Sequence, residues 1–148
     1  MALREKLKEA LKIAMKAGDS MRVGVLRLLQ AAINNKEIEK QGKGGVLGEE
    51  DVLQTLNTEA KKRKDSIEAF EKGGRKDLAE KERNELVIIQ AYLPAQLSPA
   101  EAEKIAIAVV KKGGFTDFGP AMKEVMKELR GKADAKAVTE AVKKALGQ

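Results

Sequence analysis

The sequence predicts an all-α protein, with an N-terminal four-helix part followed by a small C-terminal three-helix bundle, and three observations predict it. Apolar residues recur at three- and four-residue steps along the chain, and no segment shows the sustained alternation of a half-buried strand. The composition is rich in Ala, Glu, Lys and Leu, which favour helix. Glycine and proline cluster between the periodic runs and so punctuate helices rather than interrupt them. Hydrophobic residues make up 43% of the 148 positions and aromatics 3%, so the core must be Leu, Ile, Val, Ala and Met.

The first helix covers residues 3–17, with Leu3, Leu7, Leu11, Ala14 and Met15 on one stripe. Gly18 ends it, and Asp19 or Ser20 caps the next. That second helix carries Met21, Val25, Leu28, Leu29, Ala32 and Ile33 inward and runs to about Gln41. Gly42-Lys43-Gly44-Gly45 then reads as a flexible linker, because it lacks the lysine and hydroxyl spacing of a P-loop. Glu49-Glu50-Asp51 places three acids at a helix start, where they suit the dipole. Val52, Leu56, Ala60, Ile67 and Phe70 carry that third helix to about Lys72, and Gly73-Gly74 makes a tight break. Residues 76–92 form the fourth, with Leu78, Leu86, Ile89 and Leu93 on one side. Its run Leu86-Val87-Ile88-Ile89 is apolar nearly all round, which predicts burial on two sides.

Pro94 stops the helix, since the residue before proline resists helical geometry. Ser98-Pro99-Ala100-Glu101 is the clearest start signal in the chain: a capping serine, proline at the first helical position, and a glutamate closing a capping box. The helix it opens reaches about Lys112 and ends at Gly113-Gly114. Asp117 or Gly119 starts another, with Met122, Val125, Met126 and Leu129 inward, ended by Gly131. Asp134 caps the last, with Val138, Val142 and Leu146 four apart. The Pro94–Pro99 punctuation divides the chain into residues 1–94 and 95–148.

Cysteine and histidine are both missing from the sequence. Disulfide and thiolate chemistry are thereby excluded, and so are the commonest metal ligand and the commonest general base near neutral pH. Ser20, Ser66, Ser98, Thr116 and Thr139 have no imidazole to activate them. No catalytic residue, metal ligand or cofactor site is singled out. The longest apolar run, Ile105–Val110, is six residues, too short to span a membrane, and the start lacks the apolar stretch of a secretory signal. By elimination, the expected location is cytoplasmic.

A net charge of +6 and a pI near 9.4 point to a polyanionic partner. The densest basic run is Lys61-Lys62-Arg63-Lys64, but consecutive residues on a helix spread around its circumference and cannot form one flat patch. Arg63 falls in the middle of the apolar stripe, where an aliphatic residue is expected. It reads as a structural cation packed along its stem and paired with Glu82 or Glu85, or else as holding an anionic ligand together with Lys64. Lys61 and Lys64 join the candidate nucleic-acid contacts. A better-segregated edge lies near the C-terminus: Lys123, Lys127 and Arg130 share one flank of their helix, Glu124 and Glu128 the other, and Lys132 follows in the loop. No aromatic is interleaved with this edge, so contact would be with backbone and shape rather than by base stacking. Met122 and Met126 read as core filler.

Several stretches together resemble the GatB/YqeY family: Arg27-Leu28 leading to Ala31-Ala32-Ile33-Asn34-Asn35-Lys36-Glu37-Ile38, Glu59 to Phe70, Leu78 to Glu82, Glu85-Leu86, and Tyr92-Leu93-Pro94-Ala95-Gln96-Leu97-Ser98. Gly119-Pro120-Ala121-Met122-Lys123 and Gly131-Lys132-Ala133-Asp134 complete the set, in order and nearly end to end. The sequence departs from the family pattern at the Gly42–Gly45 insertion and at Ala135, where the family often has glycine. The resemblance implies a free-standing YqeY-like protein, similar to the tail of the B subunit of the tRNA-dependent amidotransferase, a tail that helps recognise the tRNA. The amidotransferase chemistry, with glutamine as amido donor, lies in other domains of that enzyme. By resemblance, the expected protein is a tRNA-binding or amidotransferase-associated accessory protein with no catalytic centre or cofactor of its own. Its expected partner is RNA, with neither a membrane nor sequence-specific DNA involved. The alternatives are a protein–protein adaptor using the groove between the bundles, and a carbon–nitrogen ligase-related activity.

Overall fold

The structure, a computed structural model, describes residues 2–148. These contain seven helices and no strand: α1 (Leu3–Ala17), α2 (Ser20–Gly42), α3 (Glu49–Lys72), α4 (Lys76–Gln90), α5 (Pro99–Gly113), α6 (Phe118–Leu129) and α7 (Ala135–Ala145). The chain divides into two compact units, Met1–Leu93 and Pro94–Gln148.

In the first unit α3 and α4 form an antiparallel hairpin. Gly74 turns it with φ +73°, a left-handed conformation that glycine adopts without Cβ strain, and Arg75 N–H donates to the Phe70 carbonyl at 2.8 Å. Helix α2 packs on α1, α3 and α4, and α1 packs on α2 and α3. Leu7, Leu26, Leu29, Ile33, Leu56 and Ile89 are fully buried at the centre. Each such side chain contributes about 1.5–3 kcal/mol by leaving water.

The burial pattern corrects several expectations. Met15, Met21 and Leu28 are exposed, whereas Leu26 is fully buried. The buried arc of α2 centres on Leu29 and takes in Val25, Leu26 and Ile33, because α2 touches three neighbours. Met21 and Leu28 lie roughly 80–100° around the helix from that centre, beyond the arc. The apolar run of α4 is likewise buried on one side only: Ile88 and Ile89 are inside, but Val87 is 64% exposed. Helix α4 also stops at Gln90, before the predicted end.

The glycine segment between α2 and α3 is braced rather than loose. Lys40 in the last turn of α2 pairs with Asp51 in the first turn of α3. The same carboxylate accepts the Gly48 N–H at 2.8 Å, and Gly45 N–H donates to the Lys40 carbonyl at 2.9 Å. Asp19 caps α2 by accepting the Arg22 N–H at 3.2 Å.

In the second unit each of α5, α6 and α7 packs on the other two. Ala102, Ala106, Ala121, Val125, Leu129, Val138 and Val142 are wholly buried, and the alanines on α5 and α6 let the helices approach closely. The capping box is present in full: Ser98 Oγ accepts the Glu101 N–H at 3.2 Å, and Glu101 Oε2 accepts the Ser98 N–H at 3.1 Å. Gly114 closes α5 with φ +63°. Lys144 on α7 pairs with Glu103 on α5 at 2.9 Å. Asp134 and Asp117 stand at the N-caps of α7 and α6 with extended backbones, but neither side chain makes a capping hydrogen bond, which corrects the capping role expected of Asp134.

Candidate nucleic-acid interface

Arg63 projects from α3 into the hairpin, where its side chain keeps only 14% of its accessibility. Its Nε lies 3.0 Å from Glu85 Oε2 and 3.4 Å from Glu82 Oε2, both on α4. The Nε–H is not aligned on either oxygen as a hydrogen bond, so the attraction is chiefly coulombic. With two carboxylates already beside it, Arg63 is a cross-link between α3 and α4 and offers little free charge to an outside anion. One turn earlier, Glu59 is buried, and it pairs with Lys62 at 3.1 Å. The apolar periodicity passes over Glu59. Its place four residues before Arg63, on the same stripe, is the signal that identifies it.

Lys61 and Lys64 are exposed on α3, one turn apart on its outer side. Lys62 is drawn to Glu59, so the four-residue basic run divides into an inward structural cation, a paired lysine and two outward ones.

In the second unit Lys123 and Lys127 lie one turn apart on the exposed face of α6. Arg130 is the C-cap residue: its N–H still donates to the Met126 carbonyl at 3.0 Å and its φ of −59° is helical, so it keeps the flank that a helical projection gives it, while its ψ of 125° turns the chain away after it. Lys132 follows, exposed, beyond Gly131. The predicted segregation of charge is incomplete, because Lys127 pairs with Glu124 at 3.0 Å across the supposed divide. A three-residue step on a helix is short enough for a lysine to reach round it. Lys123 and Lys132 make no ion pair among the described residues. Lys127 and Arg130 at the C-terminal end of α6 also suit the negative end of its dipole. The candidate nucleic-acid residues therefore form two sets, Lys61 with Lys64 on one unit and Lys123, Lys127, Arg130 and Lys132 on the other.

Gln96 is a residue that helical periodicity missed. Its side-chain N–H groups donate to the Gly131 carbonyl at 2.8 Å and to the Pro94 carbonyl at 3.1 Å, and Leu97 N–H donates to the Lys132 carbonyl at 2.8 Å. Loop-to-loop contacts leave no periodic trace in a sequence. On the first unit, Leu11 and Met15 of α1 line an open depression of about 510 Å³ rimmed by Glu5, Lys8, Glu9, Lys12 and Gln30. Among the described residues no helix is long and apolar enough to cross a membrane, and no group of three or more acidic side chains is placed to hold a metal ion.

The model of a family described as Yqey-like protein matches residues 4–146 of this chain. The chain belongs to that family. Similar proteins, each named altered inheritance of mitochondria protein 41, mitochondrial, occur in yeasts. The protein from Lachancea thermotolerans is 44% identical over 66% of this chain and 51% of its own length. The one from Eremothecium gossypii is 41% identical over 68% of this chain and 53% of its own length. The one from Kluyveromyces lactis is 36% identical over 89% of this chain and 69% of its own length. The aligned part thus spans about half the length of the first two relatives. These names overturn the cytoplasmic location, because the YqeY-like relatives are mitochondrial proteins. The elimination failed for a physical reason: a lack of cysteine and of long apolar runs is as compatible with the interior of an organelle as with the cytoplasm.

Proposed function

We propose that this YqeY-like protein is an accessory module that docks on folded tRNA, alone or beside an amidotransferase, and has no catalytic centre of its own. The observation that carries the reading is the exposed cationic edge of the second unit, in which Lys123 and Lys132 have no carboxylate partner among the described residues and Lys127 and Arg130 stand between them. Ten Lys and Arg residues face seven Asp and Glu in the 55 residues of that unit. Several of the acids are already engaged, Glu103 with Lys144, Glu124 with Lys127 and Glu101 in the capping box. Such an edge attracts phosphate, and the lack of interleaved aromatics directs contact to the sugar–phosphate backbone rather than to stacked bases. The resemblance to the tail of the amidotransferase B subunit supports tRNA as the RNA.

The test is titration of the full chain with bulk tRNA between about 50 and 200 mM salt. Affinity is expected to fall steeply with salt, and replacing Lys123, Lys127 and Arg130 together by alanine is expected to flatten the log–log slope by about two to three. Absence of binding at low salt overturns the reading. A protein partner that survives nuclease treatment in a pull-down, without any RNA binding, favours an adaptor instead.

A further inference from the structure

The segment Pro94–Leu97 and the loop Arg130–Lys132 lie 35 positions apart in sequence and are joined by two hydrogen bonds, from the Gln96 side chain to the Gly131 carbonyl and from the Leu97 N–H to the Lys132 carbonyl. On one side, Leu97 is anchored by its side chain, which packs on the apolar core of the second unit, and Ser98 next to it is fixed by the capping box. Gln96 is therefore presented from a rigid base. On the other side, Gly131 turns the chain with φ +77°, and Lys132 N–H donates to the Leu129 carbonyl at 3.0 Å. The carbonyls of Gly131 and Lys132 are then held from across the gap, by the Gln96 side chain and the Leu97 N–H, both at 2.8 Å. The two backbone bonds fix the peptide groups of Lys132, and the Gln96 amide adds the side-chain hold on the Gly131 carbonyl, at the residue whose backbone is otherwise the freest to vary.

We infer that Gln96 is a positioning residue for anion contact: it fixes the Gly131 turn so that Lys132 is pre-aimed at a phosphate of the RNA backbone. The inference rests on the RNA-docking reading above and deepens it. The side-chain amide suits the task because it carries two N–H donors on a planar head and bonds both Pro94 and Gly131 carbonyls at once. Gln96 need not touch the RNA itself. Its contribution is to remove in advance the ordering that the loop would otherwise undergo on binding.

The experiment is a double-mutant cycle on the full chain, with bulk tRNA as the probe. Gln96→Met keeps the stem and approximate volume but removes both donors, and it is combined with Lys132→Ala. Gln96→Met is expected to weaken binding about three- to tenfold and no more than Lys132→Ala does, because what it removes is the pre-ordering of the Lys132 contact. Lys132→Ala is expected to weaken it similarly and to reduce the salt slope by about one. In the Gln96→Met background, Lys132→Ala is expected to weaken binding less than about twofold, because the mis-aimed lysine has already lost its contact. Fully additive effects, or wild-type affinity in Gln96→Met, overturn the positioning role. A thermal melt of each variant separates this from unfolding, since Gln96 is exposed and the melt is expected to move little. If the unaltered chain fails to bind tRNA, it is the docking reading that falls, and the cycle is not reached.

Discussion

Arg63 on α3 and Glu85 on α4 face each other at 3.0 Å inside the helical hairpin, and Glu82, one turn away, shares the same guanidinium at 3.4 Å. One cation thus holds apart two carboxylates that would otherwise confront each other in a site where all three side chains are at most 20% exposed. The arrangement fixes how α3 registers on α4. It also withdraws the most conspicuous arginine of the basic run from any outside ligand.

Removing that cation is expected to be worse than removing the whole cluster. Arg63→Met should destabilise the first unit by about 2–3 kcal/mol, since it leaves two half-desolvated acids unopposed. Adding Glu82→Gln and Glu85→Gln to Arg63→Met should recover more than half of the loss. Urea midpoints at unchanged m-value are the measurement. A triple variant no more stable than the single one would refute the account.

Acid should loosen the junction between α2 and α3. The Lys40 ammonium and then the Gly48 N–H hold the Asp51 carboxyl below its ordinary 3.8. A folded-state value lower than the unfolded one means that the stabilisation is present above the ordinary value and is lost as pH falls through the depressed one. The Glu68 carboxyl, lowered by Lys72, and the Asp77 carboxyl, lowered by Arg75, act in the same direction and window. Thermal midpoints should therefore drop between about pH 5 and pH 2, and Asp51→Asn should drop less steeply than the unaltered chain. Parallel pH profiles for the two would exclude the Lys40–Asp51 brace as a contributor.

The two ends of α5 should respond differently to small substitutions. Ser98→Ala removes one half of a reciprocal cap and is expected to cost about 1 kcal/mol. At the other end, a methyl group at Gly113 would run into the Phe115 ring, which packs on the core of the second unit. Gly113→Ala should then lower the melting temperature even though alanine is the better helix former, and the additional change Phe115→Leu should restore part of the loss. Stabilisation by Gly113→Ala alone would show that the ring moves aside freely.

Matched truncations probe the two cores. Leu29 and Leu129 are each fully buried, one in each unit. Leu→Ala at either is expected to cost about 2–5 kcal/mol. Amide hydrogen exchange should show faster opening chiefly in residues of the unit that carries the change. Equal acceleration throughout the chain would mean that the units unfold as one.

Helix number, order and approximate ends were legible because each rests on local chemistry: the 3.6-residue period, the Ser98 capping box, and glycines such as Gly18 and Gly114 in left-handed closing positions. Which apolar residues are buried was legible only in part. Met21 and Leu28 sit on the edge of the α2 stripe, and the position of α1, α3 and α4 around α2 decides on which side of the boundary they fall. The cationic residues of the candidate interface could be picked out, but not their state. Lys127 reaches back to Glu124 three residues earlier, and Arg130 is the C-cap at which the chain turns out of the helix.

From the sequence alone came the all-helical class, the seven helical stretches and the want of imidazole and thiol side chains, since composition and short-range periodicity are properties of the chain itself. Only the tertiary structure decided that Arg63 is a cross-link shared by Glu82 and Glu85, that Lys40 and Asp51 brace the glycine loop, and that Gln96 grips the Gly131 turn. Each of these depends on groups distant in sequence meeting within a few ångströms, and Coulomb attraction and hydrogen bonding act through space, without regard to how many residues lie between.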